Sequence, residues 1–245
     1  MDKYELLKNI IQKSRQLVVF TGAGISVPSG IPDFRSANGI YNQKTNFKAS
    51  PEEIISHSFF VHHTKEFYEF YKDKMCYPKA QPNIAHKYFA DLEKKGKNVI
   101  IITQNIDGLH QKAGSNVVYE LHGNIHRNYC ENCGRFFGLE YILNSKDVPH
   151  CDACGDIVKP DVVLYEESLN EDIIGRSISA IMSCDTLIII GTSLTVYPAA
   201  GFIRYFRGQN VILINKDSTT YDNSCDLVFN EDVTSVIKNI LWLKQ

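Results

Sequence analysis

Two pairs of cysteines carry the plainest chemistry in the chain, Cys130-Glu-Asn-Cys133 and Cys151-Asp-Ala-Cys154, with 17 residues between them. Each Cys-x2-Cys turn directs two thiolates at one point, and two turns complete a tetrahedral four-sulfur cage for Zn²⁺. Gly134 and Gly155 follow the second cysteine of each turn, where a small residue lets backbone amides approach sulfur. A four-thiolate cage has no open coordination position, so one structural zinc is expected and His150 is not needed as a ligand. The alternatives are four unrelated buried cysteines or a redox pair, but neither turn opens a helix after a strand as a redox pair would. Cys76, Cys184 and Cys225 stand in helix- or strand-like contexts and read as small core residues.

A second group surrounds a Gly-rich turn. Leu17-Val-Val-Phe-Thr21 runs into Gly22-Ala-Gly24-Ile-Ser26, a strand and tight turn whose backbone N–H groups can meet a pyrophosphate. Val27 replaces the third Gly of the dinucleotide fingerprint, and no acidic residue closes a second strand about 20 positions on. A dehydrogenase of the usual kind is therefore a poor match, and a plain structural turn stays open on these residues alone. The following Pro28-Ser-Gly30-Ile-Pro32-Asp33-Phe34-Arg35 reads as a ligand-covering loop, with Arg35 as a planar cation for phosphate or carboxylate; a surface loop is the bland reading. Gln104-Asn105-Ile106-Asp107-Gly108-Leu109-His110, Gly191-Thr192-Ser193 and Asn215 each follow an expected strand, at the end where open α/β sheets bind ligands. His122 in Leu121-His122-Gly123 differs from a core histidine in that the next glycine permits close approach to a ligand.

The elements that must position these residues are short Val/Ile/Leu runs alternating with amphipathic stretches, the α/β pattern. Strands are expected at 17–21, 99–103, 162–165, 186–190, 211–214 and 226–229, and helices at 4–14, 64–74, 82–95, 172–183, 199–206 and 232–244. Continuous apolar strands indicate a parallel sheet covered on both faces. Two stretches break the alternation: an aromatic-rich, partly helical segment and the cysteine-bearing insert. The expected organisation is a doubly wound, Rossmann-like domain of 1–36, 80–126 and 160–245, with a small domain built from a helical insertion (37–79) and a zinc-ribbon module (127–159).

The 245 residues are 44% hydrophobic and 22% charged, an ordinary globular composition. With 26 Lys+Arg against 28 Asp+Glu, the net charge of −2 gives no basis for direct nucleic-acid or anionic-lipid capture. No apolar run approaches the roughly 18 residues a bilayer span needs, and Met1-Asp-Lys-Tyr-Glu is no signal peptide. A cytoplasmic protein with reduced thiols is expected.

Taken together, Gly22-Ala-Gly-Ile-Ser26, Ser29-Gly-Ile-Pro-Asp-Phe-Arg35, Thr103-Gln-Asn-Ile-Asp-Gly-Leu-His110, Leu121-His-Gly123, the four cysteines and Gly191-Thr-Ser-Leu194 closely resemble the sirtuin family. These are NAD-dependent protein lysine deacylases, and the short termini resemble the compact prokaryotic members. The resemblance implies NAD and an acyl-lysine peptide entering one cleft from opposite sides. It places Ala23, Gly24 and Ile25 with Asp33, Phe34 and Arg35 along the NAD loop, Gln104, Asn105, Ile106 and Asp107 around the nicotinamide ribose, and Gly191, Thr192, Ser193, Asn215, Lys216, Asp232 and Val233 around the ADP portion. Asn105 and His122 would be catalytic, and Val162, Val163, Leu164 and Tyr165 would hold the peptide. In this chemistry the acyl oxygen attacks C1′ of the ribose and expels nicotinamide. His122, acting as base through the ribose hydroxyls, then activates the 2′-OH to attack the imidate carbon. Water completes release of free lysine and 2′-O-acyl-ADP-ribose, so NAD is consumed without net redox.

Three departures qualify the resemblance. Ser36 stands where the family usually has Gly, Val27 replaces a small or polar residue, and Glu166 occupies the glycine of the substrate strand, in Leu164-Tyr165-Glu166-Glu167. That glycine lets a peptide add as a β-strand, so Glu166 is expected to alter peptide register or to favour basic sequences. Members preferring acidic acyl groups carry Tyr and Arg three apart in a small-domain helix; here Tyr71 follows Tyr68, which favours acetyl or longer neutral groups. An ADP-ribosyltransferase or NAD glycohydrolase on the same pocket is the nearest rival, and a zinc-ribbon binding module a more distant one.

Overall fold

The computed structural model describes residues 2–43 and 47–242. In chain order the elements are α1 (Lys3–Lys13), β1 (Gln16–Thr21), α2 (Pro51–Ile54), α3 (His57–His62), α4 (Thr64–Phe70), α5 (Ile84–Lys94), β2 (Asn98–Thr103), α6 (Leu109–Ala113) and β3 (Val118–Glu120). They continue with β4 (Gly123–Cys130), β5 (Phe136–Phe137), α7 (Leu139–Asn144), β6 (Val158–Val162), α8 (Glu171–Ser183), β7 (Thr186–Ile190), β8 (Asn210–Ile214), β9 (Leu227–Phe229) and α9 (Val233–Trp242).

Six strands form an all-parallel sheet in the order β3-β2-β1-β7-β8-β9, a Rossmann-like α/β arrangement. The order reverses between β1 and β7, which creates the crevice where such sheets bind ligands. Alternating side chains of each strand enter opposite cores. Leu17, Val19, Ile188 and Ile190 pack with Leu7 of α1, Phe89 of α5 and Val236 of α9, whereas Val18, Phe20, Leu187 and Ile189 pack with Ile181 of α8. Burial on both faces explains why these strands read as unbroken apolar runs.

A third core joins Phe60, Phe67, Tyr68 and Tyr71 of the helical insertion to Val158 and Val162 of β6 and Ile142 of α7. β4 lies between β5 and β6 in a separate three-stranded antiparallel sheet. The expected strand at 162–165 is displaced: β6 ends at Val162, and its partner is β4. The pattern Val158, Pro160 and Val162 inward explains the register, and Pro160 is tolerated because β6 is an edge strand. The expected helix at 64–74 becomes α4 followed by a π-turn over Tyr71–Met75, and the one at 199–206 is a 3₁₀ run, Ala199–Tyr205. The last residues of the expected C-terminal helix, 243–244, lie outside the described residues.

Candidate active site

The β1 and β7 loops cross backbone to backbone at the sheet's reversal point. Gly22 N–H donates to Ile190 O at 2.9 Å and Gly24 N–H to Gly191 O at 2.8 Å. A Cβ on Gly24 would lie 2.6 Å from Gly191 Cα, and Gly191 itself has φ +61°, so only glycines permit this crossing. From there the chain makes 3₁₀ turns over Ala23–Ile25 and Val27–Ser29. The Asn83 amide fastens them by donating to Ile25 O at 2.8 Å and Ser29 Oγ at 2.9 Å. Asp33 organises the cover loop by accepting the amides of Arg35 and Ser36 at 3.0 and 2.8 Å. The Arg35 guanidinium lies over the Tyr41 ring, 5.5 Å from its centroid.

The end of β2 delivers the polar centre. Asn105 donates its side-chain amide to Gly22 O at 3.2 Å and to Ser26 Oγ at 3.1 Å, and Ser26 Oγ donates to Asp107 at 2.6 Å. Burial raises the Asp107 pKa, against the Ser26 hydroxyl and Leu109 amide, which favour the carboxylate. Gln104 accepts from Thr192 Oγ1 at 3.1 Å, while its buried side-chain NH₂ has no partner among the described residues. An unsatisfied buried donor beside a glycine crossing without Cβ atoms is what a polar, phosphate-bearing ligand would complete.

His122 Nδ1 lies 2.9 Å from Gln104 O. A carbonyl oxygen only accepts, so Nδ1 carries the proton and the neutral ring keeps its Nε2 lone pair free. Burial lowers the His122 pKa and so favours the basic, uncharged ring, while the Gln104 carbonyl acts in the opposite direction. His122 shares a cavity of about 240 Å³ with Ala23, Phe34, Arg35, Gln104, Asn105, Ile106 and Asp107 on one side and Val162, Val163, Leu164 and Tyr165 on the other. The main chains of the two sides touch, since Val163 N–H donates to His122 O at 3.0 Å.

Other expected residues lie outside this lining. The Ile25 side chain is wholly buried in the core under the sheet, leaving only its backbone toward the loop. Gly24, Gly191, Thr192 and Ser193 stand at the crossing, Asp33 beneath the cover loop, and Asn215 and Lys216 after β8. Asp232 accepts the amide of Thr234 at 2.8 Å in the first turn of α9, and Val233 is buried there. Gly123 fits closely for a different reason than expected: a Cβ on it would stand 1.9 Å from the chain's own Asp161 O, and its φ is +77°. Sequence reasoning passed over Ser26, although it stood inside the Gly-rich motif, and also Met75 and Val196–Pro198 of the lining.

The four cysteine sulfurs of the β4–β5 and α7–β6 turns lie within 4.8 Å of one another. Cys130 and Cys154 sulfurs are 3.3 Å apart and those of Cys133 and Cys151 3.6 Å, close to the roughly 3.8 Å edge of a tetrahedral ZnS₄ centre. Cys133 N–H points at Cys130 Sγ (3.5 Å) and Ala153 N–H at Cys151 Sγ (3.4 Å), as thiolates require. The Gly134 and Gly155 amides close matching turns onto Cys130 O and Cys151 O at 3.0 and 2.9 Å.

A sequence profile described as the Sir2 family matches residues 22–198. The chain belongs to the Sir2 family. Among curated Sir2 relatives, an NAD-dependent protein deacetylase of Clostridium acetobutylicum is 55% identical over 242 residues, 98% of this chain and 99% of that one. One from Staphylococcus aureus strain N315 is 42% identical over 237 residues, covering 97% of each chain. A solved Sir2 structure with deacetylated p53 peptide and 3′-O-acetyl ADP-ribose matches with TM-score 0.88 at 38% identity, covering 98% of both chains. A Sir2 complex with p53 peptide and NAD⁺ matches at TM-score 0.84 and 38% identity, again over 98% of both chains.

Proposed function

We propose that this Sir2 protein is an NAD-dependent protein lysine deacetylase that transfers the acyl group to ADP-ribose, and that the residues converging on the cleft do this work. NAD is a consumed substrate: it supplies an activated ribose C1′ with nicotinamide as leaving group. Ala23, Gly24, the Ile25 backbone, Asp33, Phe34 and Arg35 hold it from the cover-loop side, and Gly191, Thr192, Ser193, Asn215, Lys216, Asp232 and Val233 from the strand ends. Gln104, Asn105, Ile106 and Asp107 surround the nicotinamide ribose. The free side-chain NH₂ of Gln104 is a donor available to that ligand. Asn105, fixed by Gly22 and Ser26, orients the reacting end. Val162 and Val163 line the acyl-lysine channel, and Leu164 and Tyr165 bind the peptide.

The observation that carries this reading is the His122 tautomer. With Nδ1–H held by Gln104 O, the Nε2 lone pair is the base that accepts a ribose-hydroxyl proton, at the junction of both halves of the cavity. An ADP-ribosyltransferase or NAD glycohydrolase would need the NAD half alone; the apolar Val162–Leu164 wall beside it is better suited to an acyl-lysine chain. Cys130, Cys133, Cys151 and Cys154 hold one zinc ion with a structural role. The division into 1–36, 80–126 and 160–245 against a small domain of 37–79 and 127–159 draws support from the core that joins α4 to α7 and Val158, a core that Ile125, Val162 and Leu164 of the larger domain also enter. Among the described residues no helix is long and apolar enough to cross a membrane. A four-thiolate cage, which needs its cysteines reduced, supports a cytoplasmic location, and near-neutral charge supports a protein rather than a nucleic-acid partner.

Mass spectrometry of products from NAD and an acetyl-lysine peptide tests the reading. Free lysine peptide, nicotinamide and O-acetyl-ADP-ribose in equal amounts are expected, and His122→Ala should abolish them while leaving the fold intact. ADP-ribose attached to protein without peptide deacetylation, or normal turnover by His122→Ala, overturns it.

A further inference from the structure

Glu166, which the sequence reading expects to alter peptide register or to favour basic sequences, is exposed at the rim of the cavity that holds His122. Its carboxylate is turned to Ser58, accepting the Ser58 N–H and Oγ–H, both at 2.8 Å. These bonds hold its pKa below the ordinary glutamate value. The backbone at Glu166 is left-handed, φ +75°, a conformation that side chains with a Cβ rarely adopt and that persists where surroundings enforce it. The neighbouring residues supply that enforcement. Tyr165 N–H donates to Ile55 O at 3.0 Å and His57 N–H to Tyr165 O at 2.9 Å, and the Tyr165 and Tyr41 hydroxyls are 2.9 Å apart. Glu167 meets His57 Nδ1 at 2.9 Å and accepts Leu164 N–H at 2.8 Å. The corner between α2 and α3 is thus stitched to segment 164–167, and both border the cavity that holds His122.

We propose that Glu166 is a positioning residue for the acyl-lysine substrate: its clasp on Ser58 locks the helical insertion and segment 164–167 into one cleft wall, setting peptide affinity without reading peptide charge. This rests on the reading of Val162–Tyr165 as the peptide site. A glycine there would reach the same backbone shape but could not bind the helix; this chain accepts left-handed strain and gains a tie across the cleft wall.

The test measures kcat and KM for NAD and for acetyl-lysine peptides with acidic, neutral and basic flanks. Glu166→Ala, Glu166→Gly and Ser58→Ala should each raise peptide KM roughly three- to ten-fold, the scale of one or two ordinary hydrogen bonds, by the same factor for all three peptides. The KM for NAD should not change, Glu166→Gln should retain near-normal peptide KM, and the Glu166→Ala/Ser58→Ala double variant should be no worse than Glu166→Ala, because Ser58→Ala still leaves the backbone N–H bond to Glu166. A changed flank preference in Glu166→Ala with Ser58→Ala silent overturns the proposal, as does an unchanged peptide KM in both. Val163→Asp separates the underlying reading: if it leaves peptide KM unaltered, the peptide site itself is misassigned; if it raises KM while Glu166→Ala does not, only the clasp fails.

Discussion

Replacing Gly123 by alanine puts a methyl group into the seam between the proposed base and the proposed peptide wall. The added Cβ would lie 1.9 Å from Asp161 O and 2.8 Å from its carbonyl carbon, both backbone atoms that cannot swing aside. Ordinary contact begins near 3.5 Å, so β4 and β6 must part by roughly 1.5 Å at this point. His122 precedes the substitution and Val163 follows the strand it collides with, and these two are joined by one main-chain hydrogen bond of 3.0 Å. The strain therefore falls on the distance between base and substrate. A misplacement of about 1 Å costs on the order of 100-fold in rate, or about 2.7 kcal/mol of transition-state stabilisation. Stability should fall as well, by about 1 kcal/mol for the left-handed backbone and about 1–3 kcal/mol for overpacking.

Gly96→Ala is the matched control. Gly96 has φ +89°, yet no described residue lies within 4 Å of where its Cβ would be, and it follows α5 outside the lining of the cleft. It should lose about 1 kcal/mol in urea unfolding and keep normal kcat and KM. Gly123→Ala should lose more stability and at least tenfold in kcat/KM for the peptide. Deacetylation and stability of Gly123→Ala equal to those of Gly96→Ala would refute the argument, because backbone conformation alone would then account for both.

Three further outcomes follow from the same structure. Removing zinc with a chelator, or substituting Cys133→Ser, should unfold the β4–β5–β6 sheet and abolish activity, read by metal content, circular dichroism and turnover; full activity in zinc-free protein would contradict a structural metal. His86 is fully buried against His110, and burial lowers its pKa to about 4. The unfolded chain, with histidine near 6.5, then binds more protons between pH 6.5 and 4, so stability is lost on acidification through that window, by about 3 kcal/mol from this residue; His86→Leu should flatten the slope of urea-derived stability against pH, and an unchanged slope would count against it. In an acyl panel, acetyl-lysine should be hydrolysed far faster than succinyl-lysine, because the buried Tyr71 borders the cavity at the position where the sirtuin resemblance places an arginine in members that prefer acidic acyl groups; dominant desuccinylation would reverse that conclusion.

Legibility in the sequence followed the physics of each element. β1, β2, β7 and β8 stood out because both their faces are buried, and the zinc cage because covalent spacing alone brings two thiolates together. β4 did not, because its polar His126-Arg127-Asn128 stretch hides a strand. Asn128 is fully buried, with its side-chain NH₂ donating to Ile125 O and Phe137 O, a partnership visible only after folding. The Ser26–Asn105–Asp107 cluster joins residues some 80 positions apart, so its motifs were readable as pieces but their hydrogen bonds were not.

The run 162–165 shows where local pattern misleads most. Four apolar or aromatic residues in a row read as a strand, but strand identity depends on a partner, and β4 offers its edge to Val158–Val162. What remains, 163–165, is paired at one end to His122 and at the other to the α2–α3 corner. Its extended shape is imposed from outside. The same holds for Glu166, whose left-handed φ contradicts its residue type and makes sense only with Ser58 in place. Local sequence rules fail together between 162 and 167, and that is where β4, β6 and the α2–α3 corner meet along the proposed substrate path. A segment whose conformation is set by its neighbours moves when they move, so a substitution at Ser58, on the helical insertion, should be felt in peptide binding before it is felt in NAD binding.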